Sequence, residues 1–214
     1  MSASWTSAFG RACGVLLDTI VRWLALSRIN PNVLTFMGLV VNTWAAILFG
    51  SATALTQRRL FFYAGLVIIG SGFFDLVDGA VARANNRVTR FGAFFDSVVD
   101  RYSDASQFLG LLIFYARGDR FFYVVLTAFV MVSAIMVSYT RARAESLIGS
   151  CRVGFMERPE RLVLVIIGAL FNRMAPVLWV IAVLSTLTVI HRMRYTWTRT
   201  QEAPPGAAKA GQAA

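Results

Sequence analysis

Six apolar runs constrain this chain more than any other feature. They fall at residues 33–52, 60–74, 91–116, 121–139, 162–171 and 174–190. A helix needs about 20 predominantly apolar residues to cross the hydrocarbon core of a bilayer. The first four runs reach that length, or come close once flanking residues are counted. The last two are shorter and read as a hairpin pair that starts near Pro159 and turns at Asn172-Arg173. At 57% hydrophobic residues over 214 positions, the chain is more apolar than soluble domains usually are. The expectation is an all-α integral membrane protein, with six transmembrane helices in one domain at 31–200.

The two ends read differently. Residues 9–26 alternate Arg11, Asp18 and Arg22 with Val15, Leu16, Ile20, Val21, Trp23 and Leu24. That periodicity suits an amphipathic helix lying in the membrane interface, within an N-terminal segment 1–30. A compact basic-then-apolar pattern ending in a cleavage site is missing, so no cleavable signal peptide is expected. Residues 201–214 are rich in Ala, Pro and Gly and read as a disordered tail.

The formal net charge is +10, from 21 basic and 11 acidic residues. In a soluble protein this would raise nucleic acid as a partner. Here membrane topology accounts for it. If both termini are cytoplasmic, the outer loops hold only Arg58, Arg59, Arg117, Arg120 and Arg173. The remaining basic residues then sit at inner ends, as the positive-inside rule requires. The partners expected are membrane lipids, not nucleic acid, and the location is the inner cell membrane. Cys13 and Cys151 are the only cysteines and are far apart, so neither a disulfide framework nor a zinc spacing is present. His191 is the single histidine, which argues against histidine-based catalysis or metal binding. No phosphate-binding glycine loop and no internal repeat is visible.

The chemistry concentrates in residues 73–104, FFDLVDGAVARANNRVTRFGAFFDSVVDRYSD. At 100° per residue, Asp75, Asp78 and Ala82 fall within an arc of about 60° at the inner end of the second helix. Gly92, Asp96 and Asp100 span about 80° at the start of the third. A short turn around Asn85-Asn86 makes these helices antiparallel neighbours, so two carboxylate pairs can face each other at the membrane boundary. Left alone they would repel by about 4 kcal/mol per close pair at an effective dielectric near 20. Arginines, protons or metal ions could sit between them. Four hard oxygen donors without Cys or His suit Mg²⁺, Mn²⁺ or Ca²⁺. Acids at membrane depth are functional by default. Gly79 removes a side chain beside Asp78, so a flat group such as a nucleobase could approach the backbone. Ala82 keeps that surface open, Arg83 offers donors to a phosphate or a carboxylate, and Gly92 opens the facing helix. Each glycine alone could equally serve close helix packing.

The pattern Asp75-x2-Asp78-Gly79-x2-Ala82-Arg83-x8-Gly92-x3-Asp96-x3-Asp100 resembles the complete signature of the CDP-alcohol phosphotransferase family. The resemblance implies six transmembrane helices, usually in a homodimer. It implies transfer of a phosphatidyl-type group from a CDP-linked lipid, such as CDP-diacylglycerol, to an alcohol, with release of CMP. It further implies a site for two Mg²⁺ ions, with Mn²⁺ as the other candidate, held by Asp75, Asp78, Asp96 and Asp100. Asp100 matches the family's proposed general base. Asn32, Thr35, Gly79, Ala82, Arg83 and Gly92 match positions on the CDP-lipid side. The active site is expected to open to the cytoplasm for CDP and the acceptor, and sideways for acyl chains.

The signature reads only the donor. The acceptor must be read from SYTRARAESLIGSCRVGFMERPERL at 138–162 and from HRMRYTWT at 191–198. These inner segments carry several arginines. Membrane-side charge alone explains many of them, but arginines also grip phosphate through bidentate hydrogen bonds. The pieces RARAE, GF-x-ERPERL and HR…WT resemble the bacterial branch of the family that takes inositol phosphate. By that resemblance Arg141, Arg161 and Arg192 bind the acceptor phosphate, with Arg158 as an addition. Two positions depart from the branch: it usually has Lys at Arg141, and Pro-Asp-x-x-Thr where this chain has Pro31-Asn32-x-x-Thr35. Glycerol 3-phosphate is the competing acceptor, since it also presents a phosphate. Outside the family, a UbiA-type prenyltransferase uses aspartates and Mg²⁺ with different spacing, and an ion pathway spreads its acids through the membrane depth.

Overall fold

Asn30 and Pro31 start the first described helix. The Asn30 side chain accepts from the Asn32 amide at 3.1 Å, and the proline lies in the first turn, where its missing N–H costs nothing. This helix, α1, runs Pro31–Ser51, followed by α2 (Gln57–Ala84), α3 (Arg90–Arg117), α4 (Phe121–Ile148), α5 (Arg158–Leu170) and α6 (Met174–Glu202). The structure, a computed structural model, describes residues 30–84 and 89–202, without the side chains of residues 76, 78, 79, 81–84 and 202. The amphipathic N-terminal segment, the Asn85-Asn86 turn and residues 203–214 lie outside the described residues. Helix α6 runs through Glu202, two residues into the segment read as tail.

Each boundary has a local cause. Thr89 caps α3, its hydroxyl accepting from the Gly92 amide at 2.9 Å. Gly149, at φ 78°, ends α4 in a conformation that L side chains rarely adopt. Pro159 sits in the first turn of α5, as the sequence suggested. Asn172, at φ 54°, turns α5 into α6, and its side chain accepts from Gln57 at 2.8 Å.

Among the described residues, α1, α4 and α6 are long and apolar enough to cross a membrane. Helix α5 has 13 residues, about 20 Å at 1.5 Å per residue, against a core of about 30 Å. Helices α2 and α3 are 28 residues each, but the C-terminal part of α2 and the N-terminal half of α3 carry the acids.

Helix α1 packs on α2 and α3, α4 on α3 and α6, and α5 on α2 and α6. Phe61 meets Phe49 and Phe114 edge-on, each at 4.9 Å, beside buried Ile68, Leu111, Val130, Leu178 and Ile181. Helices α1 and α3 cross so closely at Gly110 that a Cβ there would collide with the Ala46 backbone. Trp44, Ile47, Phe122, Val132, Trp179 and Val183 are exposed, an apolar outer surface that suits lipid rather than water.

Candidate active site

A buried polar chain ties together the helices that carry the acids. Gln107 of α3 donates to Asn42 of α1 at 2.6 Å, Asn42 donates to Ser71 of α2 at 2.5 Å, and Ser71 donates to the Gly38 carbonyl at 3.2 Å. Orphaned amides at this depth would be costly, so the three helices are held in one register. One turn from Ser71 lies Asp75, and one turn from Gln107 lies Asp104. At the same level α1 makes room: a Cβ on Gly38 would stand 3.2 Å from the Asp75 carboxylate.

Asp75 and Asp100 converge on a single cationic nitrogen. Arg158 Nη1 lies 2.9 Å from Asp75 Oδ2 and 3.0 Å from Asp100 Oδ1, and Arg158 Nε lies 4.0 Å from Asp104 Oδ1. Asp96 is partly buried on the face of α3 that Asp100 occupies. Asp78, Gly79, Ala82 and Arg83 fall on α2, with side chains outside the description. Among the described residues, no three His, Cys, Asp or Glu side chains stand together as a metal cage. The donor set nevertheless fits a hard divalent cation. Carboxylates from two helices point at one positively charged position, and every donor is oxygen.

Beside this cluster lies a cleft of ≈ 260 Å³. Asp100, Asp104, Arg141, Glu157, Arg158 and Arg192 line it, with Arg101, Val137, Ser138 and Pro159. Three of the four arginines read from the sequence therefore share a cleft with Asp100. Arg161, 2% exposed, is ion-paired to Asp104 and does not line the cleft. Glu157 Oε1 accepts from Arg141 Nη1 at 3.0 Å and from Arg192 Nη2 at 2.9 Å, joining the C-terminal halves of α4 and α6 to the start of α5. Arg141 also pairs with Glu145 at 3.0 Å. Arg192 donates further to the Val153 carbonyl at 2.8 Å and to the Val137 carbonyl at 2.5 Å. On the donor side, a Cβ on Gly92 would lie 3.5 Å from Asn32 Oδ1, so α1 and α3 bring these two residues together. Thr35 is buried one turn further along α1.

The sequence reading missed Asp104, Glu157, Gly38 and the Asn42–Ser71–Gln107 chain. Asp104 had a signal: it continues the four-residue spacing of Gly92, Asp96 and Asp100. The others had none, because their roles come from partners on different helices.

An acid cluster beside an arginine-lined cleft, in a helical bundle with an apolar outer surface, is a site of the class that membrane enzymes of phosphate chemistry need. The chain belongs to the CDP-alcohol phosphatidyltransferase family, whose model matches residues 28–191, and it is a transferase. It is 36% identical over 178 residues to the archaetidylinositol phosphate synthase of Pyrococcus horikoshii, covering 83% of this chain and 88% of that one. It is 36% identical over 204 residues to the phosphatidylinositol phosphate synthase of Mycobacterium tuberculosis, covering 90% and 88%. The crystal structure of the Mycobacterium tuberculosis synthase with CDP-DAG bound superposes with a TM-score of 0.75 at 32% identity, covering 85% of this chain and 94% of that one. The same synthase in complex with manganese and citrate gives 0.72 at 32% identity, covering 85% and 89%. Family membership leaves the prenyltransferase and ion-pathway readings without support.

Proposed function

We propose that this enzyme transfers the phosphatidyl group of CDP-diacylglycerol, or of a related CDP-lipid with acyl or ether chains, to a hydroxyl of inositol 1-phosphate. The products are phosphatidylinositol phosphate and CMP. One observation carries the acceptor: Asp100 shares its cleft with Arg141, Arg158 and Arg192. The relatives named as inositol phosphate lipid synthases support it.

Asp75, Asp78, Asp96 and Asp100 would hold two Mg²⁺ or Mn²⁺ ions, and a relative crystallised with manganese supports a divalent cation there. When bound, such ions neutralise the diphosphate and stabilise the leaving CMP. Asp100 takes the proton of the acceptor hydroxyl as its oxygen attacks the lipid-side phosphorus. The bond from that phosphorus to the CMP oxygen breaks, and CMP leaves with the electron pair. Asn32, Thr35, Gly79, Ala82, Arg83 and Gly92 would line the cytidine and donor phosphates. Arg141, Arg158 and Arg192 would grip the acceptor phosphate, with Arg161 adding its Nε and Nη1, which are buried without a protein partner. Six spans, a homodimer, and an inner-membrane site facing the cytoplasm complete the proposal.

A product assay tests it. The purified enzyme receives labelled CDP-diacylglycerol with inositol 1-phosphate, glycerol 3-phosphate, serine or inositol in parallel, and the lipid product is identified. Phosphatidylinositol phosphate is expected. Phosphatidylglycerol phosphate from glycerol 3-phosphate alone would replace the acceptor and leave the reaction class intact.

A further inference from the structure

Asp104 stands outside the four-aspartate signature, yet two of the acceptor-side arginines meet on it. It lies one turn beyond Asp100 on α3, is 8% exposed, and lines the cleft. Its Oδ2 accepts from Arg161 Nη2, and its Oδ1 lies 4.0 Å from Arg158 Nε. Arg161 Nε, Arg161 Nη1 and Arg158 Nε are all buried without a hydrogen-bond partner.

Packing alone does not explain this arrangement. A buried ion pair is weak evidence for stability, because desolvation offsets the attraction and well-packed apolar residues often serve as well. A pair that leaves two guanidinium donors unsatisfied is a worse packing solution still. What it does produce is orientation. With Nη2 committed to Asp104, the Arg161 guanidinium keeps Nε and Nη1, one on either side of it, as unspent donors. A guanidinium fixed by one nitrogen is pre-organised for an anion at a free one. The same carboxylate stands 4.0 Å from Arg158 Nε, while Arg158 Nη1 is held by Asp75 and Asp100, so three acids together fix the Arg158 guanidinium at the cleft. An acid beside a phosphate site would ordinarily repel the ligand, but here two guanidinium groups offset the Asp104 charge.

We propose that Asp104 is a positioning residue for the acceptor phosphate, acting through Arg161 and Arg158. The inference rests on the phosphorylated-acceptor reading above. It assigns Asp104 no part in holding metal or donor.

The test is steady-state kinetics on the detergent-purified full chain, varying CDP-diacylglycerol and inositol 1-phosphate separately. Asp104→Asn keeps the shape and removes the charge. It should raise the KM for inositol phosphate about ten- to a hundredfold, while the KM for CDP-diacylglycerol and kcat change little. Asp104→Glu should recover part of the loss. Because Asp104→Asn strands a buried guanidinium and could unfold the chain, Asp104→Ala/Arg161→Met is the second variant. It carries no lone buried charge, and thermal unfolding checks that it folds. This double variant should show the same selective rise in the acceptor KM. A folded double variant with the wild-type acceptor KM overturns the proposal, since the pair is then structural. Equal rises in both KM values also overturn it. If the wild-type enzyme uses no phosphorylated acceptor at all, the proposed function falls and this inference with it. If the wild type uses one and the variants match it, only the role of Asp104 falls.

Discussion

Arg158 Nη1 donates to Asp75 Oδ2 at 2.9 Å, joining the start of α5 to the C-terminal half of α2 across 83 positions of sequence. A guanidinium and a divalent cation seeking the same carboxylate compete for it. Arg158→Ala should therefore tighten Mn²⁺ binding about tenfold or more, read by titrating Mn²⁺ and following the free ion by electron paramagnetic resonance. Unchanged Mn²⁺ affinity would mean that Arg158 does not contest the acid cluster. The same variant should weaken inositol phosphate, because it removes a cleft cation.

Chelation gives a second expectation. CMP release should vanish in EDTA and return with Mg²⁺, because a divalent cation at the acids would neutralise the diphosphate and stabilise the leaving CMP, which Arg158 alone does not do. Asp75→Asn, Asp78→Asn and Asp96→Asn should each remove nearly all turnover and weaken Mn²⁺ binding. Full activity in EDTA would rule out a divalent cation at this site.

Asp100 faces both the acid cluster and the cleft. If it accepts the hydroxyl proton, Asp100→Asn should lower kcat by about 10²- to 10⁴-fold while CDP-lipid binding remains measurable. Turnover within a few-fold of wild type would assign the proton to another group.

Glu157 holds Arg141 and Arg192 through one oxygen. Glu157→Gln weakens that strut, and Arg141→Ala removes one arm of it. Each charge-assisted hydrogen bond to a phosphate contributes about 1.5–3 kcal/mol. Losing Arg141 should raise the KM for inositol phosphate about 10- to 150-fold, with a smaller rise for Glu157→Gln. The KM for CDP-lipid should hardly move in either. Parallel rises for both substrates would make these residues structural or donor-facing.

The crossing of α1 and α3 has its own test. A Cβ at Gly110 meets backbone, which cannot rotate out of the way as a flexible side chain can. Gly110→Ala should destabilise the folded protein by about 1–3 kcal/mol, seen as a lower thermal midpoint in detergent. An unchanged midpoint would show that the two helices can separate at no cost.

What the sequence revealed here was periodic. The four-residue spacing of Gly92, Asp96 and Asp100 marked one face of α3, and Pro159 with Asn172-Arg173 marked the short α5 hairpin. What it concealed was mutual. Asn42, Ser71 and Gln107 each look like an ordinary polar interruption in an apolar run, and only the packing of three helices turns them into a chain. Arg161 reads from sequence as a membrane-side cation or a phosphate ligand. Its partner Asp104 lies 57 positions away, and no local period links them. Glu157 likewise gains its role from arginines on α4 and α6.

Thr188 accepts from the amides of Phe155 and Met156 at 3.0 and 2.9 Å, and Arg192 grips the Val153 carbonyl two residues earlier. The second half of the connection between α4 and α5 is thus stitched to α6, from Val153 to Glu157. It cannot swing aside as a door while those bonds hold. The wall of the cleft that carries Glu157 and Arg192 is therefore braced from α4 and α6 together, a rigid jamb beside Asp100.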